Sequence, residues 1–212
     1  MTDALAQALV EMREDDVLAA VREATAAGAS PADVIANLQA GMKTIGDKYE
    51  AEQYYLSELI MAAEIFKNAL AELGLDTSAA AEAGTRGTVV LGTVKTDIHD
   101  IGKNIVAGVL SANGFKVIDL GVDVPAAAYV AAARANDARV VGLSCLLTTA
   151  FPAMRETIEA FTAAGLRDTV KIIIGGGPVT AELCAQLGAD GAGTSAQEAV
   201  NLAAAAVAGG AA

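Results

Sequence analysis

The stretch Thr88-Val89-Val90-Leu91-Gly92-Thr93-Val94-Lys95-Thr96-Asp97-Ile98-His99-Asp100-Ile101-Gly102 decides the fold of this 212-residue chain. Its first seven residues, rich in valine and leucine, read as a buried strand. A short polar loop follows, and a helical pattern starts near Ile101. Strand, loop and helix in that order place Asp97 and His99 on the carboxyl-end rim of an α/β sheet, where ligands of such sheets bind. His99 is the only histidine in the chain. Asp97 lies two residues before it, close enough to orient the ring and hold its second nitrogen, which is the support a metal-ligating imidazole needs. One histidine does not build a protein-only metal site, which takes three or four side-chain ligands. A metal held here must arrive with most of its ligands in place, as in a macrocycle.

Beyond this segment, apolar strands alternate with helices. Strands are expected at Lys116–Leu120, Arg139–Cys145, Lys171–Ile174 and near Ala189–Ala192, with helices beginning near Pro125, Phe151, Thr180 and Ser195. Five strands with intervening helices predict a parallel, doubly wound sheet in flavodoxin-like order over residues 88–212. Residues 1–75 show only helical periodicity. Ser30-Pro31 with Asp33 reads as a cap, a proline in the first turn and an early acidic residue. Val34, Leu38, Met42, Ile45 and Tyr49 form one stripe, and Leu56, Leu59/Ile60, Ala63, Phe66, Leu70 and Leu73 another, stopping at Gly74. With two shorter segments, Ala4–Arg13 and Asp16–Ala27, these make a four-helix bundle. Residues 76–87, rich in Ala, Gly, Thr and Ser, break both periodicities and read as a linker.

A net charge of −12 argues against nucleic acid or an anionic membrane as the main partner. Cys145 and Cys184 form no CxxC pair and suit a reducing compartment. No leader or spanning segment is expected, so the cytoplasm is the expected location. No GxGxxG follows the first strand and no GxxxxGK[ST] occurs, which leaves out the dinucleotide and P-loop fingerprints. With its one imidazole already placed, the chain offers no serine or cysteine triad.

In the expected topology the loops after the first, third and fourth strands open on one edge. They carry Asp97, His99 and Gly102, then Ser144-Cys145-Leu146-Leu147-Thr148, then Gly175-Gly176-Gly177-Pro178. Ser144 either caps a helix or extends a polar network to Asp97. The glycines either permit a turn or clear space beside the backbone for a ligand.

The order DxHxxG, SxL, GG resembles the cobalamin-binding domain of corrinoid proteins. Gly92 to Val106 and Asp119-Leu120-Gly121-Val122-Asp123-Val124-Pro125 are similar to segments shared by methionine synthase and the methyl-carrying corrinoid proteins of methanol, methylamine and aryl methyl ether metabolism. The resemblance spans nearly the whole chain, since that family also sets a four-helix domain first. It implies bound cobalamin with His99 as lower cobalt ligand, Asp97 on the ring's other nitrogen and Ser144 extending a proton relay. Asp100 and Gly102 then border the cofactor, and its nucleotide tail enters a slot lined by Ser144, Leu146, Thr148, Gly176 and Gly177, closed near Ser195. The helical domain covers the methyl-bearing face in the family, so the resemblance places Tyr49 and Leu56 there, while helical spacing alone reads them as packing residues. The implied function is a methyl carrier, not catalytic alone, between a substrate-specific methyltransferase and a second one with a tetrahydrofolate or thiol acceptor, a reductive activase being a further partner. A cobalamin-dependent sensor and the small subunit of an adenosylcobalamin mutase are the alternatives. The chain leaves no room for a substrate barrel of about 250 residues.

Overall fold

In the computed structural model, which describes residues 2–75 and 86–208, the Ser30-Pro31 signal opens the helix Pro31–Glu50. Ser30 Oγ accepts the Asp33 N–H at 3.2 Å, and proline fits the first turn because its missing N–H would go unpaired there anyway. This helix, α3, follows α1 (Thr2–Val10) and α2 (Glu14–Ala26) and precedes α4 (Leu56–Glu72). The linker expected over 76–87 lies outside the described residues except for Arg86 and Gly87. Two compact units account for the chain: residues 1–86 with 108–116, and residues 87–107 with 117–212.

In the helical unit, Leu9, Leu38, Met42, Ile45, Leu59, Phe66 and Leu70 form a buried core. Gly41 brings α1 and α3 together: a Cβ there would stand 3.1 Å from both the Ala6 carbonyl oxygen and Leu9 Cδ2. The α3 stripe is buried as expected from Val34 to Ile45, with Tyr49 half-buried against the core. The α4 stripe is rotated from its expected place. Its buried face is Leu59, Ala62, Ile65, Phe66, Ala69 and Leu70, which turns Leu56 and Ile60 outward, 43% and 38% exposed.

The second unit contains β1 (Thr88–Thr93), α5 (Ile101–Ala112, its C-terminal half counted with the first unit), β2 (Lys116–Asp119), α6 (Ala126–Ala135), β3 (Val140–Ser144), α7 (Phe151–Ala163), β4 (Lys171–Gly175), α8 (Ala181–Leu187), β5 (Gly191–Gly193) and α9 (Ala196–Ala208). The sheet order is β2-β1-β3-β4-β5, with parallel registers joining β1 to β3, β3 to β4 and β4 to β5. This is the flavodoxin-like order, and it sets the loops after β1, β3 and β4 at one edge. Strand β5 starts two residues later than expected. Asp190 accounts for this: its N–H donates to the Ile172 carbonyl and its carboxylate accepts the Ile172 N–H, both at 2.8 Å, so residues 189–190 serve a side-chain bridge. One sheet face packs Val90, Val141, Leu143, Cys145, Ile172 and Ile174 against Tyr129, Met154 and Phe161. Gly92 in β1 admits the Tyr129 ring, whose phenol oxygen would lie 2.7 Å from a Cβ there. Among the described residues no helix is long and apolar enough to cross a membrane.

Candidate functional site

Asp97 organises the rim of the α/β unit. Its side chain is fully buried, although it lies in a loop. Oδ1 accepts the backbone N–H of His99 at 3.0 Å and faces His99 Nδ1 at 2.7 Å. Oδ2 accepts the N–H groups of Leu146 and Leu147 at 2.6 and 3.0 Å. Burial alone would raise this carboxyl, but the hydrogen bonds from His99, Leu146 and Leu147 outweigh it and hold the pKa well below the usual carboxylate range. Asp97 is therefore an anion at neutral pH, and His99 Nδ1 is the donor of the pair. That leaves Nε2 as the lone-pair nitrogen, on a side chain 48% exposed.

The loop itself is tied down on both sides. Thr93 Oγ1 donates to the His99 carbonyl at 2.8 Å, and Asp97 N–H donates to Val94 O at 3.1 Å. Lys103, almost wholly buried in the first turn of α5, donates to Asp119 Oδ2 at 2.5 Å and Asn104 Oδ1 at 2.6 Å. The pair pins the start of α5 to the end of β2.

The resemblance implied a relay from Asp97 through Ser144. No hydrogen bond joins the Ser144 hydroxyl to Asp97 among the described residues, because the second carboxylate oxygen is filled by the two leucine N–H groups. Ser144 has a different place. It belongs to a register row, Thr93, Ser144, Gly175 and Gly193, that crosses four strands at their carboxyl ends. In-register partners in a parallel sheet share a face, and a Cβ at Gly193 would meet Ala199 of α9, so the row faces that helix. On the first turn of α9, Gln197 is buried with its Oε1 unpaired among the described residues. Along this row the side chains are small or absent: a threonine, a serine and two glycines.

The glycines divide into two kinds. Gly176 has φ +132°, and a Cβ there would run into the Cys145 carbonyl oxygen, so the chain's own backbone demands it. A Cβ on Gly177 would lie 3.2 Å from Leu146 Cδ1, a side chain that can move, and one on Gly102 would meet open space. Cys145 itself is fully buried; its Sγ donates to the Leu147 carbonyl at 3.2 Å. Burial first, and then the charge of Asp97, push its thiol up to about 12.

The remaining expected residues fall as follows. Thr148 begins a short 3-10 turn and is exposed. Ser195 Oγ accepts the Glu198 N–H at 3.1 Å and so caps α9. Asp100 is exposed and takes Asn104 Nδ2 at 3.2 Å. Tyr49 and Leu56 belong to the helical unit, and of the two Leu56 is the exposed one. Sequence reasoning missed the Leu146 and Leu147 amides, which carry no side-chain signal, and it missed Asp123, whose N–H and carboxylate both bond to the His99 loop.

Asp97 also predicts a pH dependence. Its pKa in the fold lies below the unfolded value, so its contribution to stability is complete above about pH 4 and is lost as the pH falls below that. Asp97→Asn is expected to lower the stability of the corrinoid-free protein by about 2–4 kcal/mol at pH 7, since charge-assisted hydrogen bonds are broken. The gap to wild type should narrow on acidification below about pH 4. Chemical denaturation at pH 7 and pH 3 checks it, and an unchanging gap would contradict it.

Among the described residues no group of three or more His, Cys, Asp or Glu could hold a metal. A single oriented imidazole fits a metal whose equatorial positions are filled by a macrocycle. The surroundings suit such a flat apolar ring: Ile98 and Ile101 after β1, Val122 after β2, and Leu146 and Leu147 after β3 all expose apolar surface. The fold and the site thus define a flavodoxin-like macrocycle-binding domain that follows a helical one in the sequence.

Comparison with known proteins agrees. The B12 binding domain model matches residues 87–201, and a second model of the same description matches residues 1–73. Dimethylamine corrinoid protein 1 of Methanosarcina mazei is 39% identical over 197 residues, covering 92% of this chain and 91% of the relative. A cobalamin-binding protein from Desulfitobacterium hafniense, solved by crystallography, superposes with a TM-score of 0.80 at 36% identity over 97% of this chain and 98% of its own. The methanol:cobalamin methyltransferase complex MtaBC from Methanosarcina barkeri gives 0.82 at 33% identity, over 97% of this chain and 79% of that one. The chain belongs to the B12-binding corrinoid proteins.

Proposed function

We propose that this protein carries a methyl group on the cobalt of a bound corrinoid, taking it from a substrate-specific methyltransferase and yielding it to a second methyltransferase with a tetrahydrofolate or thiol acceptor. The observation that carries the reading is the His99 ring, tied to buried Asp97 through Nδ1 and presenting Nε2 at the rim. In this reading His99 Nε2 is the protein's ligand to cobalt, and Asp97 keeps the proton on Nδ1 so that Nε2 stays free to bind. Ile98, Ile101, Leu146 and Leu147 exclude water around the ring edge. Ser144, Gly175 and Gly193 leave room for the nucleotide tail, with Gly102, Thr148, Gly177 and Ser195 at its border. The alkyl-cobalt chemistry is supplied by the cofactor when bound, and the protein sets its axial ligand and its access.

Dimethylamine is the first donor to test, because a relative 39% identical is a dimethylamine corrinoid protein; methanol is the second, from the solved complex. Full-length protein reconstituted with cobalamin and reduced should accept one methyl per corrinoid when donor and cognate methyltransferase are both present. It should show negligible turnover without them. Failure with every donor and methyltransferase, together with a change in oligomeric state or DNA affinity on illumination, would make it a sensor instead.

A further inference from the structure

Two residues in the left-handed region that are not glycine meet at the His99 loop, one within it and one in the loop after β2. Thr96 has φ +70° and Asp123 has φ +53°. For a β-branched residue such as Thr96 that conformation is a genuine outlier, and it persists only where the surroundings hold it. Here the surroundings are Asp123. Its Oδ1 accepts the Thr96 N–H at 2.7 Å, and its own N–H donates to the Asp97 carbonyl at 2.9 Å. One residue thus grips the dipeptide Thr96-Asp97 from both ends. The following residue extends the hold, with Val124 N–H on Thr93 O at 3.0 Å and Val124 bridged to Val94.

The direction in which the Asp97 carboxylate leaves the backbone depends on the turn at Thr96. With Thr96 left-handed, that carboxylate reaches His99 on one oxygen and the Leu146 and Leu147 amides on the other. In an ordinary right-handed or extended conformation the Asp97 peptide would swing, and one of those two sets would be lost.

We propose that Asp123 is a positioning residue for His99: by holding Thr96 left-handed it aims the Asp97 carboxylate at Nδ1 and thereby fixes which imidazole nitrogen carries the proton. Asp123 touches neither the ring nor the ring's outer nitrogen, and it acts through the backbone alone. The proposal rests on His99 being the metal-facing group, but it concerns the ring's tautomer, which is readable without any corrinoid.

The chain's single histidine makes that reading direct, since long-range proton–nitrogen spectra show one imidazole only. The experiment compares corrinoid-free, full-length wild type with Asp123→Gly and Asp123→Asn above the titration range of the ring. Glycine accepts the positive φ without strain and removes the carboxylate; asparagine tolerates the same φ and keeps an acceptor oxygen. Wild type should show the Nδ1–H tautomer. Asp123→Gly should lose it in favour of the Nε2–H form, and Asp123→Asn should retain it. A folded Asp123→Gly protein that keeps the wild-type tautomer overturns the proposal, as does an Asp123→Asn protein that loses it. The cobalt-ligand reading fails separately, by reconstituted wild type showing no imidazole nitrogen on cobalt while the tautomer results hold.

Discussion

His99→Ala should erase the imidazole signature from the paramagnetic Co(II) state of the reconstituted protein. In wild type the cobalt resonance is expected to carry splitting from one imidazole nitrogen, because Nδ1 is committed to Asp97 at 2.7 Å and only Nε2 is available. The alanine variant has no other histidine to substitute. Cobalamin affinity should fall by about 10- to 100-fold, the range reached when the support of a metal ligand is disturbed. Imidazole added to the variant should restore the splitting by entering the vacated space. Electron paramagnetic resonance of both proteins, with equilibrium dialysis for affinity, settles the matter. Nitrogen splitting that persists in the variant without added imidazole would mean that it comes from the cofactor's own base.

Gly176→Ala should cost more stability than any neighbouring glycine substitution. The position has φ +132°, where L-residues are strained, and its Cβ would meet the Cys145 carbonyl oxygen. No rotamer relieves a collision with backbone, and Cys145 is itself held by its N–H on Gly175 O at 2.9 Å. A loss of about 3 kcal/mol or more is expected, as for other strained or overpacked backbone positions. For a chain of this size that lowers the melting temperature by about 6–12 °C. Gly177→Ala is the comparison: its Cβ faces the mobile end of Leu146, so the cost should stay within about 1 kcal/mol. Thermal and urea denaturation of the corrinoid-free proteins measure both. Equal melting of the two variants would refute the argument.

The legible part of the architecture was carried by periodicity. Val89 to Thr93, Val140 to Ser144 and Ile172 to Ile174 announced strands because a sheet covered on both faces needs continuous apolar runs. Ser30-Pro31 announced a helix because its first-turn chemistry is local. Strand β5 was misplaced because its two leading residues answer to Asp190, a side chain whose partners are distant in sequence. In α4 the alternative Leu59/Ile60 could not be resolved from spacing, since both lie within a turn of the same face and packing against the other helices decides between them. At the site, Asp97 and His99 were readable because their bond spans two residues. The Leu146 and Leu147 amides lie 49 and 50 residues from Asp97 and belong to the backbone, so no choice of side chain reveals them. Asp123 stood in a recognisable segment, yet only its positive φ and its two bonds to the other loop give it a role.

In the proposed methyl-carrier reading, the burial of Cys145 bears on how long the loaded protein survives. A methyl group that is ready to leave for one thiol is ready to leave for any other, and Cys145 immediately precedes Leu146, whose amide bonds the Asp97 carboxylate. Burial and the charge of Asp97 push the Cys145 thiol up to about 12, which keeps it protonated at pH 7 and so a poor nucleophile. Cys184, also buried, is shifted in the same direction. In that reading neither buried thiol competes for the methyl group, which is left to the acceptor that a partner brings.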